Sequence, residues 1–332
     1  LGDNLWNLYP GGLIESINRI KNTTLYDLLN KRNNKIFARS VKTAIRRLGM
    51  KDFILFNDSA MFTGLYMKEL LEPKLYVYYM RDYLVKVPYW QRHGERLEPQ
   101  LISKADLVVN NSVLYTDYGK RFNRHSYMVG QGCDLTMFDE TEAPIIPAGD
   151  LESIPRPVIG YVGNISALRM DISLLAEIAG KKPEWSIVLV GPEDDAFKHS
   201  ELHHLSNVFF TGPREVSLLP RYIKGFDVCI NPQLINDYTR GNYPRKIDEY
   251  LAMGKPTVAT ATEAMEYFAG YTYLGKSATD YLDLIARALK EDSPDMQEKR
   301  RQFAAGHSWH HNVNEIYRLM NHVMHENMNT RN

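Results

Sequence analysis

Lys246 and Glu249 stand three residues apart just after Pro244 and offer a cation and a carboxylate to one ligand. On a helix that spacing puts both on one face. An ammonium in a first helical turn can meet a phosphate, aided by open backbone N–H groups and the positive end of the helix dipole. The carboxylate one turn further in can accept hydrogen bonds from ribose hydroxyls. Spacing alone also fits an ordinary intrahelical ion pair worth ~0.2–0.5 kcal/mol. A second group of residues includes Asp82 and His93. A carboxylate such as Asp82 suits a general base that takes the proton of an attacking hydroxyl, a step worth ~10²–10⁴-fold. His93, with an ordinary pKa near ~6.5, is the alternative base. Arg81 and Arg92 would give Asp82 a purely structural role, and His93 before Gly94 also fits a plain turn. A third set lies at Gly163, Asn164 and Arg169: the glycine permits close backbone approach to a phosphate, and the guanidinium can bind the same group in a bidentate pair.

The stretch 226–260 has the pattern needed to position the first set. Phe226 to Ile230 and Lys255 to Thr260 read as buried parallel strands, with a polar loop and a helix between them. Pro244 suits the first helical turn, Ile247, Tyr250 and Leu251 fall on one face, and Gly254 ends the helix. In such a βαβ unit the ligand crevice lies at the carboxyl ends of the strands, which places an anion at Tyr243 to Lys246. The strands Val158 to Val162, Ser186 to Val190 and Val208 to Phe210 extend the same sheet, and Asp171 reads as the N-cap of the helix after the first. Upstream, Asp52 to Asp58, Lys74 to Arg81, Ala105 to Asn110 and Ser126 to Val129 read as strands of another parallel sheet. The fold class is therefore α/β, with two Rossmann-like doubly wound parallel-sheet domains.

The series Asn236, Thr239, Pro244, Lys246, Glu249, Tyr250, Leu251, Ala252, Gly254, Lys255, Pro256 resembles the donor-binding segment of GT-B glycosyltransferases. It is most similar to the family-four bacterial polysaccharide-synthesis enzymes of the teichuronic-acid type. The resemblance implies two domains facing a cleft, Lys246 on the nucleotide diphosphate and Glu249 on the ribose. It also implies that the loop after Thr211, with Pro213 and Arg214, holds the base. Gly130 to Asp134 matches a family turn at the mouth of the cleft, and Glu98 has a structural place. Many family-four enzymes carry a glutamate eight residues before the one matching Glu249, and this chain has Gly241 there, so retention or inversion stays open.

The implied activity is metal-independent transfer of a sugar from a nucleotide-diphosphate donor, a UDP-sugar first, to a saccharide or lipid-linked acceptor in surface polysaccharide synthesis. The nucleotide sugar is a co-substrate and no cofactor is expected. A sugar-nucleotide epimerase of the same fold, or a non-catalytic nucleotide-sugar-binding subunit, is the alternative.

The 332 residues, 44% of them hydrophobic, supply two cores, and a formal charge of zero gives no case for nucleic acid. Cys133 and Cys229 form no disulfide or metal pattern, which suits a cytoplasmic setting, and no apolar run reaches the ~20 residues of a membrane span. Peripheral contact with the inner face of the membrane is an open expectation. It rests on residues 31–51, which carry eight basic residues, no acid and an apolar stripe of Phe37, Val41, Ala44, Ile45 and Leu48. The same stretch also fits a core-packed helix. The expected organisation is an N-terminal acceptor domain over 1–140 with its start missing, a linker over 141–157, a donor domain over 158–306, and a helix within 307–332 crossing back. Of the histidines, His199, His203 and His204 form one cluster and His307, His310 and His311 another. Neither has the partners of a zinc site.

Overall fold

The computed structural model describes residues 4–81, 83–140, 143–236, 239 and 241–329. They form two compact units, one of residues 1–130 with 314–332 and one of residues 131–313.

The first unit contains α1 (Thr23–Arg47), β1 (Ile54–Asp58), α2 (Met67–Leu71), β2 (Leu75–Met80), α3 (Pro88–Lys104), β3 (Leu107–Asn110), α4 (Val113–Lys120) and β4 (Ser126–Met128). The strands pair in parallel in the order β1-β2-β3-β4. Strand β2 is buried along its whole length, and its period of two divides its side chains between two cores. Tyr76, Tyr78 and Met80 meet Leu97, Leu101 and Ile102 of α3 on one face. Leu75, Val77 and Tyr79 meet Leu319, Met320 and Val323 on the other.

Helix α1 packs on the core through the face that carries its apolar stripe, and it is buried most deeply in its earlier turns. Its buried positions are Tyr26, Asn30, Asn33, Asn34 and Ala38, whereas Phe37, Val41, Ala44 and Ile45 are half-buried and Leu48 is exposed. The seam is polar because each asparagine meets a backbone group. Asn33 Nδ2 donates to the Glu15 carbonyl at 2.9 Å, Asn34 Nδ2 donates to the Phe62 carbonyl at 2.9 Å, and the Tyr66 amide donates to Asn34 Oδ1 at 3.2 Å. Lys31, Arg32, Lys35, Arg39 and Lys42 face solvent.

The second unit contains β5 (Val158–Val162), α5 (Ile172–Lys181), β6 (Ser186–Val190), α6 (Asp195–Lys198), β7 (Val208–Gly212), α7 (Leu219–Gly225), β8 (Val228–Asn231), α8 (Arg245–Ala252), β9 (Thr257–Thr260), β10 (Tyr273–Gly275), α9 (Ala278–Glu291) and α10 (Pro294–Ala305). Helix α11 (Trp309–Asn329) begins in this unit and continues in the first. The sheet is parallel throughout, in the order β10-β9-β8-β5-β6-β7. The order reverses between β8 and β5, and such a switch point opens a crevice at the carboxyl ends of the strands. Strand β10 has no counterpart in the sequence reading, since three residues are too few for a periodicity to show.

The division between units falls at Gly130, ahead of the expected 140. Of residues 141–157, expected as a linker, the described part 143–157 packs on the second unit, where Ala148 and Leu151 are buried with Tyr222, Ile223 and Phe226. Apolar side chains spaced among the prolines give that segment a surface to pack on.

Candidate functional site

The site is built from the loops that follow β5 and β8, on either side of the switch point. They are laced together: the Asp171 amide donates to the Pro232 carbonyl at 3.0 Å and the Leu234 amide to the Arg169 carbonyl at 2.8 Å. Asn236 Nδ2 donates to the Leu168 carbonyl at 3.0 Å, and Asn236 Oδ1 accepts from the Thr239 amide at 2.9 Å. Asp171 caps α5 by accepting from the Leu174 amide at 3.0 Å.

Gly163 ends β5 with φ at +141°, a backbone conformation open to glycine. A Cβ placed there would lie 2.1 Å from Lys246 Cε and 2.6 Å from Nζ. The lysine side chain therefore occupies the space that the absent side chain leaves. Gly191, at the end of β6 with φ at +146°, makes room in turn: a Cβ there would stand 1.8 Å from the Gly163 carbonyl oxygen. Lys246 is half-buried, and its ammonium lies 5.4 Å from the centre of the Tyr161 ring, whose hydroxyl donates to the Asn164 carbonyl at 3.1 Å. Gly163 and Lys246 thus meet, and Asn164 follows on the same loop. Arg169 is exposed on the same loop.

Helix α8 holds Lys246 in its first turn. Pro244 is its N-cap and no side chain closes that end by a hydrogen bond. Ile247, Tyr250 and Leu251 are fully buried, and Tyr250 OH accepts from the Val162 amide at 2.9 Å, which fastens the helix to the end of β5. Glu249 is 9% exposed. Burial pushes its carboxyl above the ordinary range, with Arg245 and Lys246 drawing it back. Its ion-pair partner is Arg245, at 3.3 Å, in place of the Lys246–Glu249 pair that spacing allowed. Among the described residues no carboxylate pairs with Lys246.

Behind α8 lies a buried network that the sequence reading missed. Tyr243 OH donates to Asp248 Oδ2 at 2.7 Å, His307 Nδ1 lies 2.6 Å from Asp248 Oδ1, and His307 Nε2 lies 2.9 Å from Tyr267 OH. Burial pushes the Asp248 carboxyl up, and the bonds from His307 and Tyr243 oppose that shift. Tyr243, expected to touch the donor, thus directs its hydroxyl to Asp248, while its ring sits edge-on to Phe268. The sequence signal was weak: Asp248 follows Ile247 on α8, and its partner is 59 residues away.

Other expected residues stand differently. Asp82 lies outside the described residues. His93 is a correction: it falls on the inward face of α3 with Leu97 and Leu101, 1% exposed. There Nε2 donates to the Ile20 carbonyl at 2.8 Å and the ring stacks on Tyr26 at 3.6 Å. Burial lowers its pKa, and enclosure takes it away from any substrate proton. Arg214 is the second correction. Its guanidinium is held by Tyr222 OH and by Asp150, the latter at 2.9 Å, so it braces the 149–151 turn against α7. Pro213 is exposed beside it. Glu98 is structural as expected: it is 1% exposed, accepts from Tyr78 OH at 2.8 Å, and is pushed by burial up to about 7. Among the described residues no group of histidines, cysteines and acids is placed to hold a metal ion. His203 instead lies 2.7 Å from Glu193 and stacks on Phe210.

Comparison with known proteins bears on this arrangement. The family described as glycosyl transferases group 1 matches residues 156–291, a span that includes Gly163, Lys246 and Glu249. That span lies within the second unit. TuaH of Bacillus subtilis, assigned to teichuronic acid biosynthesis as a glycosyltransferase, is 28% identical over 226 residues, which cover 64% of this chain and 56% of TuaH. The chain thus spans a little over half the length of that curated relative. Among solved structures, sucrose-phosphate synthase from Thermosynechococcus elongatus is similar at TM-score 0.66 and 18% identity, covering 89% of this chain and 79% of its own. HepE of Anabaena in complex with UDP is similar at TM-score 0.68 and 16% identity, over 85% of this chain and 82% of its own. The fold is that of GT-B glycosyltransferases.

Proposed function

We propose that this chain transfers a sugar from a nucleoside-diphosphate donor, a UDP-sugar, to a saccharide or lipid-linked acceptor in bacterial surface polysaccharide synthesis. The observation that carries the reading is Lys246 lying against Gly163 at the switch point, in the first turn of α8. As the anomeric C–O bond to the diphosphate breaks, charge grows on the leaving phosphate. The Lys246 ammonium and the α8 N-terminus meet it there without a metal ion. The acceptor oxygen bonds to the anomeric carbon and passes its proton to a base, for which Asp82 is the proposed residue. Glu249, buried beside Lys246, is placed one turn further in and receives the ribose hydroxyls. The relatives support the substrate: HepE was solved with UDP, and TuaH is assigned to teichuronic acid biosynthesis. The reading also sets the exposed basic face of α1 against anionic headgroups at the inner face of the membrane, where each basic residue adds ~1 kcal/mol. Among the described residues no helix is long and apolar enough to cross a membrane.

The test is calorimetric titration with uridine, guanosine and adenosine diphosphates on wild type and Lys246→Ala, with and without a chelator. Selective, chelator-resistant uridine diphosphate binding that is lost in the variant is expected. Equal binding by the variant overturns the role given to Lys246.

A further inference from the structure

The first unit holds a cleft of about 500 Å³ lined by Ser16, Asn18, Arg19, Pro88, Tyr89 and Arg92. It lies where α3 begins after the carboxyl end of β2, the edge of a parallel sheet at which ligands bind. We propose that this cleft is an oxyanion subsite for the acceptor, taking a carboxylate or a phosphate ester. The proposal rests on the glycosyl-transfer reading for the word acceptor, and on the cleft itself for the anion.

Four features converge there. Arg92 is held in place by donating from Nη1 to the Asn18 and Arg19 carbonyls, at 3.3 and 3.2 Å, which fixes its guanidinium without neutralising it. Arg19 lines the same cleft and is exposed. Among the described residues neither arginine has a carboxylate partner, because the acids nearby in sequence are engaged elsewhere. Glu15 is with Arg32, Asp27 with Arg96 and Glu95 with Lys86. Ser16 Oγ and Tyr89 OH, 3.2 Å apart, share one hydrogen bond and leave one O–H free to donate, while Asn18 Nδ2 fastens the wall by donating to the Tyr89 carbonyl at 3.4 Å. Lastly, α3 opens at Pro88 without a side-chain cap, and the Tyr89 amide finds no acceptor among the described residues, so the positive end of a 17-residue helix adds to the two guanidiniums. Two planar forks, one free hydroxyl donor and an open amide, with no carboxylate partner among the described residues, form a site for bidentate recognition of an oxyanion.

Calorimetric titration with inorganic phosphate and with glucuronate, on wild type, Arg19→Ala, Arg92→Lys and Lys246→Ala, tests this. Saturable binding of one probe is expected, weakened at least tenfold in Arg19→Ala and Arg92→Lys and unchanged in Lys246→Ala. The probe that binds identifies the source, a uronic acid or a phosphate ester. Arg19→Ala breaks no hydrogen bond described here, so its effect reads the charge and not the fold. Absence of saturation on folded protein overturns the proposal, as does binding lost in Lys246→Ala and kept in Arg19→Ala. Uridine diphosphate titrated into the same preparations separates the two readings: if it binds while neither probe does, the cleft proposal fails and the donor site stands.

Discussion

Replacing Gly163 with alanine tests the site at the position where backbone and side chain depend on each other. The new methyl would meet Lys246 Cε at 2.1 Å and Nζ at 2.6 Å, and the residue would have to hold φ at +141°. The lysine is the flexible partner, so it swings away, and the lasting strain is that of the backbone, about 1–3 kcal/mol. In a unit of this size that lowers the melting temperature by roughly 2–4 °C per kcal/mol. The functional loss has a separate origin. An ammonium moved off its place forfeits a charge-assisted bond to phosphate worth ~1.5–3 kcal/mol, or about 10- to 150-fold in nucleotide affinity. Calorimetry with uridine diphosphate on Gly163→Ala, Lys246→Ala and the double variant decides the matter as a cycle. If Gly163 acts through Lys246, the double variant binds no more weakly than Lys246→Ala alone. Wild-type affinity in Gly163→Ala, or losses that simply add, would refute the reasoning.

Three further outcomes are expected. Glu98, pushed by burial to about 7, stays protonated in the folded chain while the unfolded chain loses its proton near 4.5, so stability falls as pH rises between those values. The shift corresponds to about 3 kcal/mol; urea unfolding of Glu98→Gln from pH 5 to 8 should show a flatter profile than wild type, and parallel profiles would contradict it. Arg214→Ala should change uridine diphosphate affinity less than twofold and stability by about 0–1 kcal/mol, since its pair with Asp150 is 33% and 43% exposed; a tenfold affinity loss by calorimetry would return Arg214 to the donor site. His307→Ala strips the fully buried Asp248 of one partner and should cost about 3–5 kcal/mol by thermal and urea unfolding, whereas a neutral result would mean that Asp248 is uncharged in the fold.

The βαβ unit over 226–260 was legible because its strands are short apolar runs and its helix has three core positions at the right spacing, so the first-turn place of Lys246 followed. The N-cap at Asp171 and the strand-ending glycine at 163 were legible for the same local reasons. Lys246 against Gly163 was legible only as two separate features, since the approach depends on strand order. The buried Asp248–His307 pair and the Arg214–Asp150–Tyr222 contact were not, because each joins residues far apart in sequence whose types suit solvent equally well. His93 misled for a related reason: a histidine looks like a proton carrier until its helix is rotated onto the core. In α1 the apolar stripe was legible in the second half of the helix, and the earlier turns of the same face are buried through asparagines, whose types suit solvent equally well.

The asparagines in the seam of α1 affect how freely the helix can vary. A helix seated only on apolar side chains tolerates many substitutions of similar volume. One seated through Asn33 and Asn34 on the carbonyls of Glu15 and Phe62 has a single address, because a displaced amide leaves buried partners unmet. Leucine at position 34 would add apolar contact and erase that address. The basic outer face is then always presented at the same angle.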